Sequence, residues 1–300
     1  MGLREYRAAL KQMAHLSDLT WEESEALLKV FAGLHGDLQR MIVDSGLYRP
    51  SEANRIRDSL EATLLDYGNG LLRSSQDAQF RAWTNGVEAF DNLMVSMEIN
   101  YVKGMTGLEN RLVQEYLTIN RIAGVTEEMK ALIRAEVLGG IFMEKAPYEV
   151  MSTITNIIGI KDLPGYRSIG TTGISAKAER IMRTETMAIQ NSAKWWNEQE
   201  TLARMPDLQQ VWMATGDVRT RADHLAAHGQ VVPVGDPFTV GGEEARFPGD
   251  PSLSPAQRVN CRCTAVPYRA EWGEVDELIG PVNKKVDRER KAREAWLLQA

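Results

Sequence analysis

From the N-terminus to about residue 200, apolar positions recur at offsets of three and four, the pattern of helices with one buried face. Thr20-Trp-Glu-Glu23 has the form of a capping box ahead of the run EALLKVFAGL, with Gly36 as the expected stop. A second helix is predicted over 50–66, with Ile56, Leu60 and Leu64 on one stripe, interrupted at Gly68-Asn-Gly70. A third, from about 74 to 102, carries Phe80, Trp83, Val87, Phe90, Leu93 and Met97 and reads as a core or oligomer seam. Helices at about 108–121 and 126–144 follow, and Pro147 opens another through Ile157.

Residues 159–174 are rich in Gly, Pro and Thr and read as a loop and domain boundary. A helix then runs from about Ser175 to the region of Gln199. Past Pro206 the periodicity changes. QQVWMAT reads as a strand, GDVRTRADHLAAHG as a turn and short helix, FTVGGEEARF as a hairpin with a Gly-Gly turn, and CRCTAVPYR as a further strand. The expected fold class is therefore mainly α: a helical N-terminal region over 1–160, a small α+β C-terminal domain over 175–270, and a helical tail over 281–300.

Composition narrows the function classes. The formal net charge of −6 argues against a general nucleic-acid binder, which would be strongly basic. No apolar run approaches the roughly 20 residues of a membrane span, and MGLREYRAALKQM lacks the apolar stretch of a secretory signal. The tail reverses the overall sign: Lys284, Lys285, Arg288, Arg290, Lys291 and Arg293 outnumber its acids. It reads either as a solvated helix anchored by Trp296, Leu297 and Leu298, or as a basic arm for a partner or packaged DNA.

The chemistry-bearing residues are concentrated late in the chain. Cys261 and Cys263 are its two cysteines, too close in sequence for an unstrained mutual disulfide, and they are expected reduced. His224 and His228 are four apart, so a continuous helix would turn both imidazoles to one side. Together these four residues could close a tetrahedral structural zinc site. The alternative is a metal-free polar core in which His224 bonds a backbone carbonyl or Asp217. A catalytic reading would use a His base beside a Cys nucleophile, oriented by Asp217 or Asp223. No Walker loop, GxSxG elbow or HExxH is present, and no catalytic residue is assigned.

Upstream, Arg183 and Glu185 diverge by about 200° on a helix, so they could each bond a different element, for example Arg183 to Asp217 and Glu185 to Arg219 or Arg221, with solvent exposure as the alternative. Asp217 is a candidate cap for the short helix after it. Ser254-Pro-Ala-Gln257 reads as a capped turn with Pro at its first position.

Taken in order, Arg183-Thr-Glu-Thr186, Asn191, Trp212, Asp217-Val-Arg-Thr-Arg221, His224, Gly229, Phe238, Pro248-Gly-Asp-Pro251 and Asn260-Cys-Arg-Cys263 resemble the phage Mu F-like, or SPP1 minor head protein, family over about 175–270. The resemblance implies a minor capsid component of a tailed bacteriophage or prophage. Such a protein would be associated with the portal inside the head, partnered by the portal and other head or scaffold proteins, and made in the host cytoplasm. It also groups Arg183, Glu185, Asp217, Arg219, His224, Asn260, Cys261, Arg262 and Cys263 as members of one packed polar cluster. This sequence departs from the family pattern at Ala222, Asp223 and His224, where further cysteines are common, so a four-ligand zinc site is not inherited with the resemblance. Two other readings stay open: a metal- or Cys-dependent enzyme packaged in the head and delivered with the DNA, and an internal DNA-contacting head protein.

Overall fold

The structure, a computed structural model, describes residues 16–97, 99, 101, 118–159 and 172–297. The chain is mainly helical. The helices are α1 (Leu16–Gln39), α2 (Ala53–Ser96), α3 (Thr118–Phe142), α4 (Pro147–Ile158) and α5 (Gly173–Thr201). A small α+β region follows: β1 (Gln209–Met213), α6 (Ala222–Ala227), β2 (Val231–Pro233), β3 (Phe238–Val240), β4 (Glu243–Ala245), α7 (Pro255–Arg258), β5 (Thr264–Tyr268), α8 (Val275–Leu278) and α9 (Gly280–Leu297). The expected loop falls largely on 160–171, and the expected helix at 108–121 largely on 108–117. Both lie outside the described residues, as do the side chains of Trp296 and Leu297 and all of Leu298.

Two compact units divide the chain. One combines Trp21–Ala78 with Leu117–Arg183. Its core is a helical interior in which Phe31, Leu38, Leu60, Leu64, Ile133 and Ile154 are fully buried. Three expectations fail here. Thr20 lies inside α1 rather than at its start, and α1 continues through Gly36 into a π-helical turn at Arg40–Asp44. Gly68-Asn-Gly70 does not interrupt α2. A helix-interior glycine costs only about 1 kcal/mol against alanine, and Gly68 has a packing use. A Cβ there would stand 2.7 Å from Cε of Lys130 and 3.0 Å from Cγ2 of Thr126, so its absence lets α3 approach closely.

The other unit comprises Met1–Thr20, Gln79–Tyr116 and Thr184–Ala300. Its sheet is antiparallel with order β2-β1-β5, pairing Gln209 with Tyr268 through to Met213 with Thr264. Pro267, which has no N–H to give, is tolerated because β5 is an edge strand. One face of the sheet, with Val211, Met213 and Val266, packs with Phe90 and Leu93 of α2 and with Met97 just past its end. The other face, with Trp212 and Ala265, packs with Leu225, Phe238, Val240 and Val286. Of the predicted α2 stripe in this unit, Phe80 is exposed and Val87 half-buried. The β3–β4 hairpin turns at Gly241-Gly242, both at positive φ, as its sequence predicts.

Candidate functional site: a buried His–Cys–Cys group in a saturated polar core

Two short helices and one turn bring the cysteines to a histidine. Asn260, at φ 56°, takes the left-handed conformation that Asn tolerates better than most residues. Its N–H donates to Oγ1 of Thr184 on α5 at 3.0 Å. The turn leads Cys261 and Cys263 into the same interior, 4% and 2% exposed, immediately before β5 rather than within it. Between them, Arg262 points the other way to Asp217, and its carbonyl accepts from Oγ1 of Thr215 at 3.0 Å. His224 comes from α6. Its Nδ1 is 3.3 Å from Sγ of Cys263 and 3.6 Å from Sγ of Cys261.

The opposite side of the imidazole is held by a relay that the sequence did not disclose. Nε2 of Gln257 on α7 donates to Oδ2 of Asp223 at 2.7 Å, a carboxylate that only accepts. Oε1 of Gln257 therefore faces Nε2 of His224, 3.1 Å away, and accepts a hydrogen bond from its N–H. In the neutral ring this leaves the Nδ1 lone pair aimed at the two sulfurs. Gly241 makes the relay possible: at φ 59°, its Cβ position would stand 2.3 Å from Nε2 of Gln257 and 2.7 Å from Oδ2 of Asp223. The edge of the Trp212 ring closes the group, 5.8 Å from the His224 ring centre. Hydrogen bonding from Cys263 pulls the Cys261 thiol well down from its ordinary value, while Cys261 holds the Cys263 thiol well up.

His228 is not part of this group. α6 stops at Ala227, and His228 has left helical geometry, so the four-residue spacing no longer aligns the two imidazoles. Instead Nδ1 of His228 accepts from the Ala214 N–H at 3.2 Å, and Nε2 bonds Oδ1 of Asn283 on α9 at 2.8 Å.

Ion pairs around the group bind its elements together, with partners that differ from the expected ones. Asp217 takes a two-pronged bond from Arg262, both contacts 2.6 Å, which holds its carboxyl well below the usual carboxylate range. It also accepts from the Arg219 N–H and the Thr220 hydroxyl, so it organises the turn before α6 and does not cap that helix. The Arg219 guanidinium stays 68% exposed, 3.9 Å from Asp217. Arg183 reaches Glu179 one turn earlier on α5. Glu185 is paired with Arg258, which also donates to the Gly249 carbonyl.

Ser254 precedes α7 as expected, but its hydroxyl bonds Glu243 and Gln257 is committed to the relay. Asp250 of the Pro-Gly-Asp-Pro turn is fully buried and accepts from the Arg246 side chain and backbone and from the Ser252 N–H. Asn191 joins α5 to both the Pro248 and Cys263 carbonyls. In the tail, Arg290 bonds the Leu225 carbonyl and Arg293 the Thr220 carbonyl, so two of the six basic residues dock α9. Lys284, Lys285, Arg288 and Lys291 are exposed.

Residues 145–266 match the family described as Phage Mu protein F like protein. The match begins before α4, earlier than the motifs alone suggested, and ends inside β5. It therefore contains all three members of the His–Cys–Cys group and every ion pair around them. Uncharacterized protein YqbB of Bacillus subtilis (strain 168) is 30% identical over 122 residues, which cover 39% of this chain and 36% of that protein. The chain thus matches about a third of that relative's length. No solved structure matches. Among the described residues no helix is long and apolar enough to cross a membrane.

Proposed function

We propose that this chain is a minor head protein of a tailed bacteriophage or prophage. It would be docked at the portal inside the head, where it supports procapsid assembly, DNA packaging or DNA ejection. The family match over 145–266 carries the reading, since it points to a phage head morphogenesis protein. The geometry favours a structural part over a catalyst: Asp217, Glu185, Asn191 and Asp250 are spent on bonds between elements, which makes a rigid module for assembly.

A packaged Cys–His enzyme is the rival that the short Nδ1–sulfur contacts would favour. It needs a substrate to reach sulfurs that are nearly inaccessible. The exposed Lys284, Lys285, Arg288 and Lys291 of α9 leave a role in touching packaged DNA within the same proposal.

Co-expression with the portal protein encoded in the same genome, followed by native mass spectrometry, tests the docking. A portal ring carrying this chain is the expected result. A portal ring that forms without it, beside a free chain, would refute portal association.

A further inference from the structure

We propose that Nδ1 of His224 and the sulfurs of Cys261 and Cys263 hold one soft divalent cation, zinc by their chemistry, with Gln257 and Asp223 orienting the histidine. The candidate atoms lie within 4.8 Å of one another, and all three residues are buried. Tetrahedral zinc with Zn–S near ~2.3 Å and Zn–N near ~2.0 Å separates a sulfur from a nitrogen by about 3.5 Å. The two nitrogen–sulfur separations here are 3.3 and 3.6 Å, so the side chains need little movement to close on an ion.

Two observations beyond proximity point to a cation. First, one lone pair on Nδ1 can accept only one thiol proton well, yet two thiols converge on it. A shared ion satisfies all three atoms. Second, the Gln257–Asp223 relay fixes the ring as the tautomer with Nδ1 free, the outer-shell arrangement that ligating histidines use. Charge agrees: a divalent cation with two thiolates and a neutral imidazole is a neutral unit, which a low-dielectric interior accepts where a lone charge would be costly. Binding releases the two thiol protons to solvent. His228 is committed elsewhere, so the remaining coordination position falls to water or another small donor.

The test uses the full chain, stripped of metal under reducing conditions and titrated with cobalt(II) and then zinc(II), alongside native mass spectrometry. The expected result is one ion per chain, thiolate-to-cobalt charge-transfer bands with the strong visible bands of a tetrahedral site, and protection of both thiols from alkylation when zinc is bound. Cys261→Ser should abolish the bands and His228→Gln should keep them. Gln257→Leu should weaken binding by about 10–100-fold, the usual loss when an outer-shell partner is removed.

Failure of the wild-type chain to take up cobalt or zinc overturns the proposal whether or not any variant folds. So does uptake that persists in a folded Cys261→Ser chain. Gln257→Leu with unchanged affinity removes the orienting role. None of these outcomes bears on portal docking.

Discussion

Asn191 offers a direct measure of how much the buried polar network holds the C-terminal module together. Its side chain is 2% exposed. Nδ2 donates to the Pro248 carbonyl at 2.9 Å and to the Cys263 carbonyl at 3.0 Å, while Oδ1 accepts from Oγ1 of Thr264 at 2.9 Å. One residue on α5 thus holds both the Pro-Gly-Asp-Pro turn and the entry to β5. Asn191→Ala removes three hydrogen bonds at a net of about 1 kcal/mol each. It also strands two carbonyls in a dry interior, at up to about 1–3 kcal/mol apiece before relaxation or water entry.

The expected loss is therefore about 3–5 kcal/mol. Urea titration followed by tryptophan fluorescence reads it, because Trp83, Trp195, Trp196, Trp212, Trp272 and Trp296 belong to the unit that holds Asn191. At an ordinary slope of about 2 kcal/mol per molar, the midpoint should fall by roughly 1.5–2.5 M. Asn191→Asp should be worse still at neutral pH, since its carboxylate would face two carbonyls with nothing to donate. A loss below about 1 kcal/mol for the alanine variant, or an aspartate variant more stable than it, would refute the reasoning.

Two further outcomes follow from the charges. Asp217 is depressed by the Arg262 guanidinium, so its stabilising contribution is complete above the unfolded carboxyl value near ~4 and drains away as pH falls through the lower folded value. Arg262→Ala should flatten the acid limb of the stability–pH curve, and urea midpoints measured from about pH 5 downward check this; an unchanged limb contradicts it. Lys194 and Glu198 are fully buried one turn apart on α5, with burial raising the carboxyl to about 8 and lowering the amine to about 8. Lys194→Met breaks the bonds to the Thr264 hydroxyl and the Ala265 carbonyl and should cost about 2–3 kcal/mol, whereas Glu198→Leu removes a buried carboxyl that has no hydrogen-bond partner and should cost less. A Glu198→Leu chain that loses more stability than the Lys194→Met chain in urea titration would contradict this.

Helical periodicity reported the fold class, and the Gly-Gly pair reported its hairpin, because both are local properties of a few successive residues. The ordered motifs from Arg183 to Cys263 also marked where the buried polar bonds lie, since each constrains its own turn. The same local signals misjudged where helices stop. Gly36 and the Gly68-Gly70 pair look like breaks in sequence, but close packing against α3 gives Gly68 a reason to stay helical. The reverse happened at His228, where α6 ends one residue too early for the four-residue rule.

Partner choice was the least legible feature. Asp217 selected Arg262, forty-five residues on, and Glu185 selected Arg258. Gln257 and Asp223 joined His224 through a gap that only a glycine at 241 leaves open. The sequence by itself determined a helical chain with a small α+β end, and it named His224, His228, Cys261 and Cys263 as the residues able to ligate. Only the tertiary structure decided that His224, Cys261 and Cys263 meet without His228, because spacing along a chain sets direction within one element while ion pairs and ligand sets depend on distances between elements.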